Sequence, residues 1–230
     1  MAILVIDGLI INLKCSALSN FSVMNLPDEI KTIDDFNEVT TVIKKSNFIA
    51  QVYAVISESE VKEYLTKSKT KYYNASHHCY AFKLVDGTVR YSDAGEPNGT
   101  AGIRILNAIE HFNLNNQLLI VSRIFGGIKL GVGPLGKAYY ESAFQVLNTS
   151  IICTKSLFRL ATISAEFEQI NLVHRILSNH NSTIEKSDYG ENAKFYCLIK
   201  SGEIERISKN LLELGKNRIS IIVHPETVYK

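Results

Sequence analysis

The chain has 230 residues, 46% of them hydrophobic and 21% charged. Those proportions are ordinary for a globular protein and exclude both wholesale disorder and a multi-span membrane protein. A formal net charge of +2 is too small to announce nucleic-acid or acidic-lipid binding by bulk electrostatics, so any such affinity has to come from a local patch.

Ala2 to Leu13 is apolar, but Asp7 interrupts the run and no basic segment precedes it. Spanning a bilayer takes about twenty apolar residues. The segment reads as a short strand or a poorly docked extension, residues 1–30 are set apart from the rest of the chain as an extension of uncertain order, and Met24 offers an alternative start. Cys15, Cys79, Cys153 and Cys197 form no close pair. That is the pattern of free thiols in a reducing compartment, so the expected location is the cytoplasm, without membrane contact.

Val39 to Lys44 and Phe48 to Val55 read as a hairpin turning over Lys44, Lys45, Ser46 and Asn47. Ser57 and Glu60 form a capping box for a helix to about Lys69, whose apolar face is Val61, Tyr64 and Leu65. A strand from His77 to Val85, an Asp86-Gly87 turn and a return strand from Thr88 to Tyr91 come next. Ile105, Leu106, Ile109 and Phe112 recur at helical spacing, and Leu118 to Ile124 is a buried strand. Pro134 is expected at the first position of a second core helix.

The last third changes grammar: strand Phe158–Ala165, helix Gln169–Ser178, strand Thr183–Tyr189, strand Ala193–Ile199, helix Glu203–Leu214 and strand Arg218–Val223. This is a ferredoxin-like βαββαβ series. The expected organisation is therefore an extension at 1–30, one domain at 31–150 and a second at 156–230, in the α+β class.

Nine of the thirteen glycines lie between Gly87 and Gly136, five of them between Phe125 and Lys137. Glycine in a regular element costs about 0.5–1 kcal/mol relative to alanine, so such density suits a loop whose N–H groups approach something closely. No Asp or Glu occurs from His111 to Tyr140, where Arg123, Lys129 and Lys137 supply positive charge. A helix start beside that loop is an anion site in outline, and the expected ligating set is Asn98, Gly99, Thr100, Arg123, Gly126, Gly127, Lys129, Gly131, Gly133 and Lys137. Tight turns and close helix packing are the alternative use of the same glycines.

Several sharper patterns fail on context. Gly131 to Gly136 spells GxGxxG, but it does not directly follow a strand and no acidic residue lies between Glu141 and Glu166 to hold a ribose. Read through Lys137 it spells GxxxxGK, with Ala138 where a Ser or Thr would bind magnesium. Asp93 and Glu96 could work as an acid-base pair or serve as turn and capping groups. His77 and Cys79 share a strand face, yet nothing in their spacing with Glu96 demands zinc, so no metal and no cofactor is expected.

Four strings carry a resemblance: Lys45-Ser-Asn-Phe-Ile-Ala50, Ser76-His-His-Cys-Tyr-Ala-Phe82, Gly95-Glu-Pro-Asn-Gly-Thr-Ala-Gly102 and Arg123-Ile-Phe-Gly-Gly-Ile-Lys-Leu-Gly131. In that order and spacing they resemble the YigZ/IMPACT family, over roughly Glu38 to Leu147. The resemblance implies a first domain like domain IV of elongation factor G and a small-subunit ribosomal protein, with a left-handed βαβ crossover, and a second like domain V. It implies a translation-linked binding or regulatory protein whose partners are structured RNA, the ribosome or a translation-control protein. The chain departs from the family pattern at Asp93-Ala-Gly95, at Ile124 and at Gly133-Pro-Leu-Gly-Lys137, where a point-charge lysine replaces a forked arginine. The alternative is an enzyme acting on a small phosphorylated or other anionic ligand at the two glycine-rich helix starts, with His77, Cys79 or Glu96 for chemistry.

Overall fold

A computed structural model describes residues 26–230 together with two short strands, Ile3–Ile6 (β1) and Leu9–Asn12 (β2), which pair antiparallel. The other residues of the expected extension, with Met24 and Cys15, lie outside the described residues. The chain divides into two compact units, Glu29–Lys155 and Ser156–Lys230, the second including the residues up to Asp28.

In the first unit β3 (Glu29–Thr32) precedes an antiparallel sheet built from β4 (Asn37–Ile43), β5 (Ser46–Ala54), β6 (His77–Lys83), β7 (Val89–Ser92) and β8 (Gln117–Ile124). Its strand order is β4-β5-β8-β6-β7. Helices α1 (Glu58–Lys71) and α2 (Gly102–His111) connect these strands, and α3 (Val132–Asn148) follows β8. β8 is buried almost throughout because both of its faces are covered. Leu119 and Val121 face a core shared with Ile105, Ile109, Leu135 and Tyr139 of α2 and α3, whereas Leu118 and Ile120 face Val61, Tyr64 and Leu65 of α1. Strand alternation thus puts one helix on one side of the sheet and two on the other.

The capping box forms with a shift. The Glu60 amide donates to Ser57 Oγ at 3.3 Å, but the Glu60 carboxylate accepts from the Ile56 amide, at 2.7 Å, one residue earlier than the motif implies. Two expectations need correction. The hairpin turn is two residues, Lys44 and Lys45, not four, and both take left-handed φ (45° and 66°), the conformation that a two-residue hairpin turn selects. Helix α3 begins at Val132, so Pro134 is its third residue; first-turn amides have no intrahelical partner, and a missing N–H is harmless there too.

In the second unit β9 (Cys153–Ala165), α4 (Ile170–Asn179), β10 (Thr183–Tyr189), β11 (Ala193–Lys200), α5 (Ile204–Leu214) and β12 (Ile219–Tyr229) form an antiparallel sheet in the order β10-β11-β9-β12. That is the ferredoxin-like βαββαβ arrangement. Val173, Ile176, Leu177, Ile207 and Leu211 from the two helices pack on Ala161, Ile163, Phe195 and Cys197. β12 runs past the expected end at Val223, as far as Tyr229. A register shift between Val223 and Thr227 takes up Pro225, whose missing N–H would otherwise interrupt the ladder.

Candidate functional site

At one end of the first sheet, register aligns Phe48, Arg123 and His77 on neighbouring strands, on the face that meets α2 and α3. The Glu96 carboxylate is inserted beneath them. Its Oε1 accepts from Arg123 Nη1 at 2.7 Å and from the Tyr139 hydroxyl at 2.8 Å. Its Oε2 lies 3.9 Å from His77 Nε2. His77 Nδ1 is 2.9 Å from the Ala94 carbonyl, which can only accept, so Nδ1 carries the hydrogen and Nε2 is the nitrogen turned to Glu96. The Arg123 guanidinium sits 5.4 Å from the ring centres of both Phe48 and Phe125, while its Nε is buried without a partner.

Cys79 is fully buried, its thiol donating to the Asp93 carbonyl at 2.9 Å and lying 3.4 Å from the Tyr139 hydroxyl. Burial pushes this thiol up to about 12, so it is protonated at neutral pH and is no nucleophile. Burial, reinforced by Cys79 and Glu96, likewise raises the Tyr139 phenol far above its ordinary range and keeps it a donor. The three residues singled out for chemistry are therefore gathered in one place, but Cys79 is held as a thiol and Glu96 is already paired. Among the described residues no three metal-ligating side chains cluster. Tyr139 escapes a reading of the sequence because it fits the apolar face of α3; the available signal is that a buried phenol needs a partner.

Asp93 fixes the start of α2. Its carboxylate accepts from the amides of Gly99 (2.9 Å), Ala101 (2.9 Å) and Gly102 (2.8 Å). Burial opposes ionisation, but these three amides outweigh it and hold the group below the usual aspartate range. The expected anion cradle at Asn98, Gly99 and Thr100 is corrected accordingly. The chain's own carboxylate takes the Gly99 amide, both the amide and hydroxyl of Thr100 bond to the Pro97 carbonyl, and Asn98 is merely exposed. Gly102 is glycine for space: an added Cβ would lie 2.7 Å from the Ser92 backbone.

The glycine-rich loop is different. Phe125, Gly127, Ile128, Lys129 and Gly131 are exposed, as is Gly133 in the first turn of α3, a helix that starts without a side-chain cap. Gly126 packs directly on the hairpin tip, where a Cβ would come within 2.0 Å of the Lys45 carbonyl oxygen, and its amide donates to Ser46 Oγ at 3.2 Å. Lys44 and Lys45 thus stand beside the loop that carries Lys129. All three are exposed, and among the described residues none has a carboxylate partner. We refer to this turn and loop as the rim. Arg123 is corrected out of the phosphate-binding set, because its side chain is 7% exposed and bound to Glu96. Lys137 is exposed with Glu141 3.5 Å away. The strip without acids in sequence is thus not without acids in space. Sequence alone does not single out the two hairpin lysines, because a four-residue turn hides the pair at its tip.

The opposite sheet face carries a second polar assembly that periodicity does not reveal. Glu38 accepts from Gln51 (2.8 Å), Lys71 (2.8 Å) and Tyr72 (2.6 Å). Gln51 accepts from Ser68 at 2.7 Å, Ser68 lies 3.4 Å from Ser122, and Ser122 lies 2.8 Å from His78 Nδ1. It ties α1 to four strands, β4, β5, β8 and β6.

The chain is 31% identical over 192 residues to "IMPACT family member YvyE" of Bacillus subtilis, an alignment covering 83% of this chain and 88% of that protein. The chain belongs to the IMPACT family. The Impact N-terminal domain profile matches residues 44–147 of this IMPACT-family chain, and a Domain of unknown function (DUF1949) matches residues 163–218. "IMPACT family member YigZ" of Escherichia coli is 26% identical, across 82% of this chain and 94% of that one. Human "Protein IMPACT" is 32% identical over 109 residues, which is 45% of this chain and 33% of the human protein. A solved structure titled "Crystal structure of an hypothetical protein" shares the fold with a TM-score of 0.64 at 24% identity, covering 87% of this chain and all of the other. Among the described residues no helix is long and apolar enough to cross a membrane.

Proposed function

We propose that this IMPACT-family chain is a translation-linked binding protein whose rim contacts RNA phosphates. The observation that carries the reading is the set of unpaired, exposed lysines, Lys44, Lys45 and Lys129, around the close approach of Gly126 to the hairpin tip. Desolvated or paired cations would be poor phosphate ligands; these three are hydrated and mounted on backbone that packing holds in place. Lys137 adds a fourth, since an exposed i,i+4 pair with Glu141 is worth only a few tenths of a kcal/mol and yields readily to a phosphate. The buried Arg123–Glu96–Tyr139 assembly is scaffolding in this reading, fixing the loops that present the lysines. The link to translation rests on the resemblance to domains IV and V of elongation factor G.

An enzyme on a small anion has less support, because Asp93 already fills the α2 start and the Cys79 thiol is protonated.

Filter binding to a structured RNA at two or more salt concentrations tests the proposal. The expected slope of log affinity against log salt is negative and shrinks by about 0.7–0.9 for each phosphate contact removed. Replacing Lys44, Lys45 and Lys129 together by alanine should flatten it by about 2 to 3. An RNA affinity that is absent, or that ignores the triple substitution, overturns the reading and leaves a protein partner as the rim's occupant.

A further inference from the structure

Two exposed aromatic rings stand at the same end of the sheet as the three lysines, and a reading based on phosphate contacts makes no use of them. Tyr73 is 86% exposed. It lies just past α1, in the short connection that enters β6 at His77, and the Ser76 amide donates to the Arg123 carbonyl at 2.8 Å. That connection therefore runs beside the first residues of the glycine-rich loop. Phe125 opens the loop and is 45% exposed. The Arg123 guanidinium 5.4 Å from its centre restrains the ring, and nearly half of its surface remains open. Neither ring makes a ring–ring contact among the described residues, in contrast to Tyr53 of β5, which stacks on Tyr64 of α1 and meets Phe36 at a tilt.

One exposed ring is ordinary on any protein surface. Two, on adjacent segments near unpaired lysines and a glycine-rich loop, make the combination by which proteins hold single strands: cations along the backbone and aromatic faces for the bases. Paired bases in an A-form duplex have their faces stacked on neighbours, and duplex readers rely on backbone shape instead. We propose that the rim takes unpaired bases on Tyr73 and Phe125 while Lys44, Lys45 and Lys129 hold the flanking phosphates, so that its ligand is single-stranded RNA in preference to duplex. The inference rests on the phosphate reading above and adds the class of RNA.

Fluorescence anisotropy with a mixed-sequence RNA of about 12 nucleotides, within the range one stacking groove covers, and with the same strand annealed to its complement tests the proposal. The single strand should bind more tightly at equal salt. Tyr73→Ala and Phe125→Ala should each weaken it by at least about fivefold without changing the salt slope, because a ring contributes stacking and no charge. Tyr73→Phe and Phe125→Tyr should restore affinity, which separates stacking from any loosening of Arg123. If duplex and single strand bind alike, or the alanine variants bind as the parent does, stacking is overturned; the phosphate reading then still stands provided the triple lysine variant loses its slope. If neither RNA form binds, both readings fall together.

Discussion

Arg123 and Glu96 face each other across 2.7 Å with side chains 7% and 4% exposed, so neither charge can be rehydrated without moving the loops around it. Removing one member of a buried pair strands the other and costs about 3–5 kcal/mol. Arg123→Met and Glu96→Gln made singly should each lower stability by an amount in that range. The double variant should lose clearly less than the sum, a coupling that urea unfolding of all four proteins measures through a double-mutant cycle.

Gly126 and Gly127 should respond differently to alanine. At Gly126 the new methyl meets the Lys45 carbonyl at 2.0 Å, so the hairpin tip must move; the expected loss is at least about 3 kcal/mol, the upper end of overpacking. At Gly127 the space is open and only the left-handed φ of 84° is strained, for a loss of about 1–2 kcal/mol. Denaturant midpoints at constant slope distinguish the two mechanisms by their size.

Asp93 should impose an acid limit on the first unit. Its carboxyl is held below the ordinary range in the folded protein, so the stabilisation it brings is complete above the unfolded value of about 3.9 and is lost as pH falls through the lowered folded value. Asp93→Ala should cost about 1–2 kcal/mol at neutral pH, as for other lost helix caps. The difference from the parent should vanish on acidification, which urea titrations across that pH range would show.

The buried thiols provide a fourth measurement. Cys79 and Cys197 are fully buried, and burial raises each to about 12. Cys153 is only half-buried, and its thiol is raised by burial and by nearby Asp34. Among the described cysteines, alkylation of the native protein at neutral pH, read by peptide mapping, should label Cys153 and leave Cys79 and Cys197 unmodified until denaturant is added.

Elements with strong local signals are legible from residue types alone. Ser57 and Glu60 announce α1, Asp86-Gly87 announces the β6–β7 turn, and the alternating and helical runs after Phe158 spell out the ferredoxin-like order. The glycine loop is legible as a loop from Gly126, Gly127 and Gly131, but the run of glycines hides where it ends, because Gly133 and Gly136 already belong to α3. What sequence does not express is partnership at long range. Asp93 and the amides of Gly99, Ala101 and Gly102 are not the difficulty, since they are close neighbours along the chain. Glu96, Arg123 and Tyr139 are far apart in sequence, on the loop before α2, on β8 and on α3, and only the packing of α2 and α3 against the sheet brings them together.

Along α1, the apolar stripe of Val61, Tyr64 and Leu65 attaches the helix to its sheet, but a greasy contact of that kind tolerates sliding. The bond from Ser68 to Gln51 does not, because it has one permitted length and direction. It acts as a locating pin: with it in place, the helix can end only where Tyr72 meets Glu38, and the exposed tyrosine that follows is delivered to a fixed position in the connection into β6.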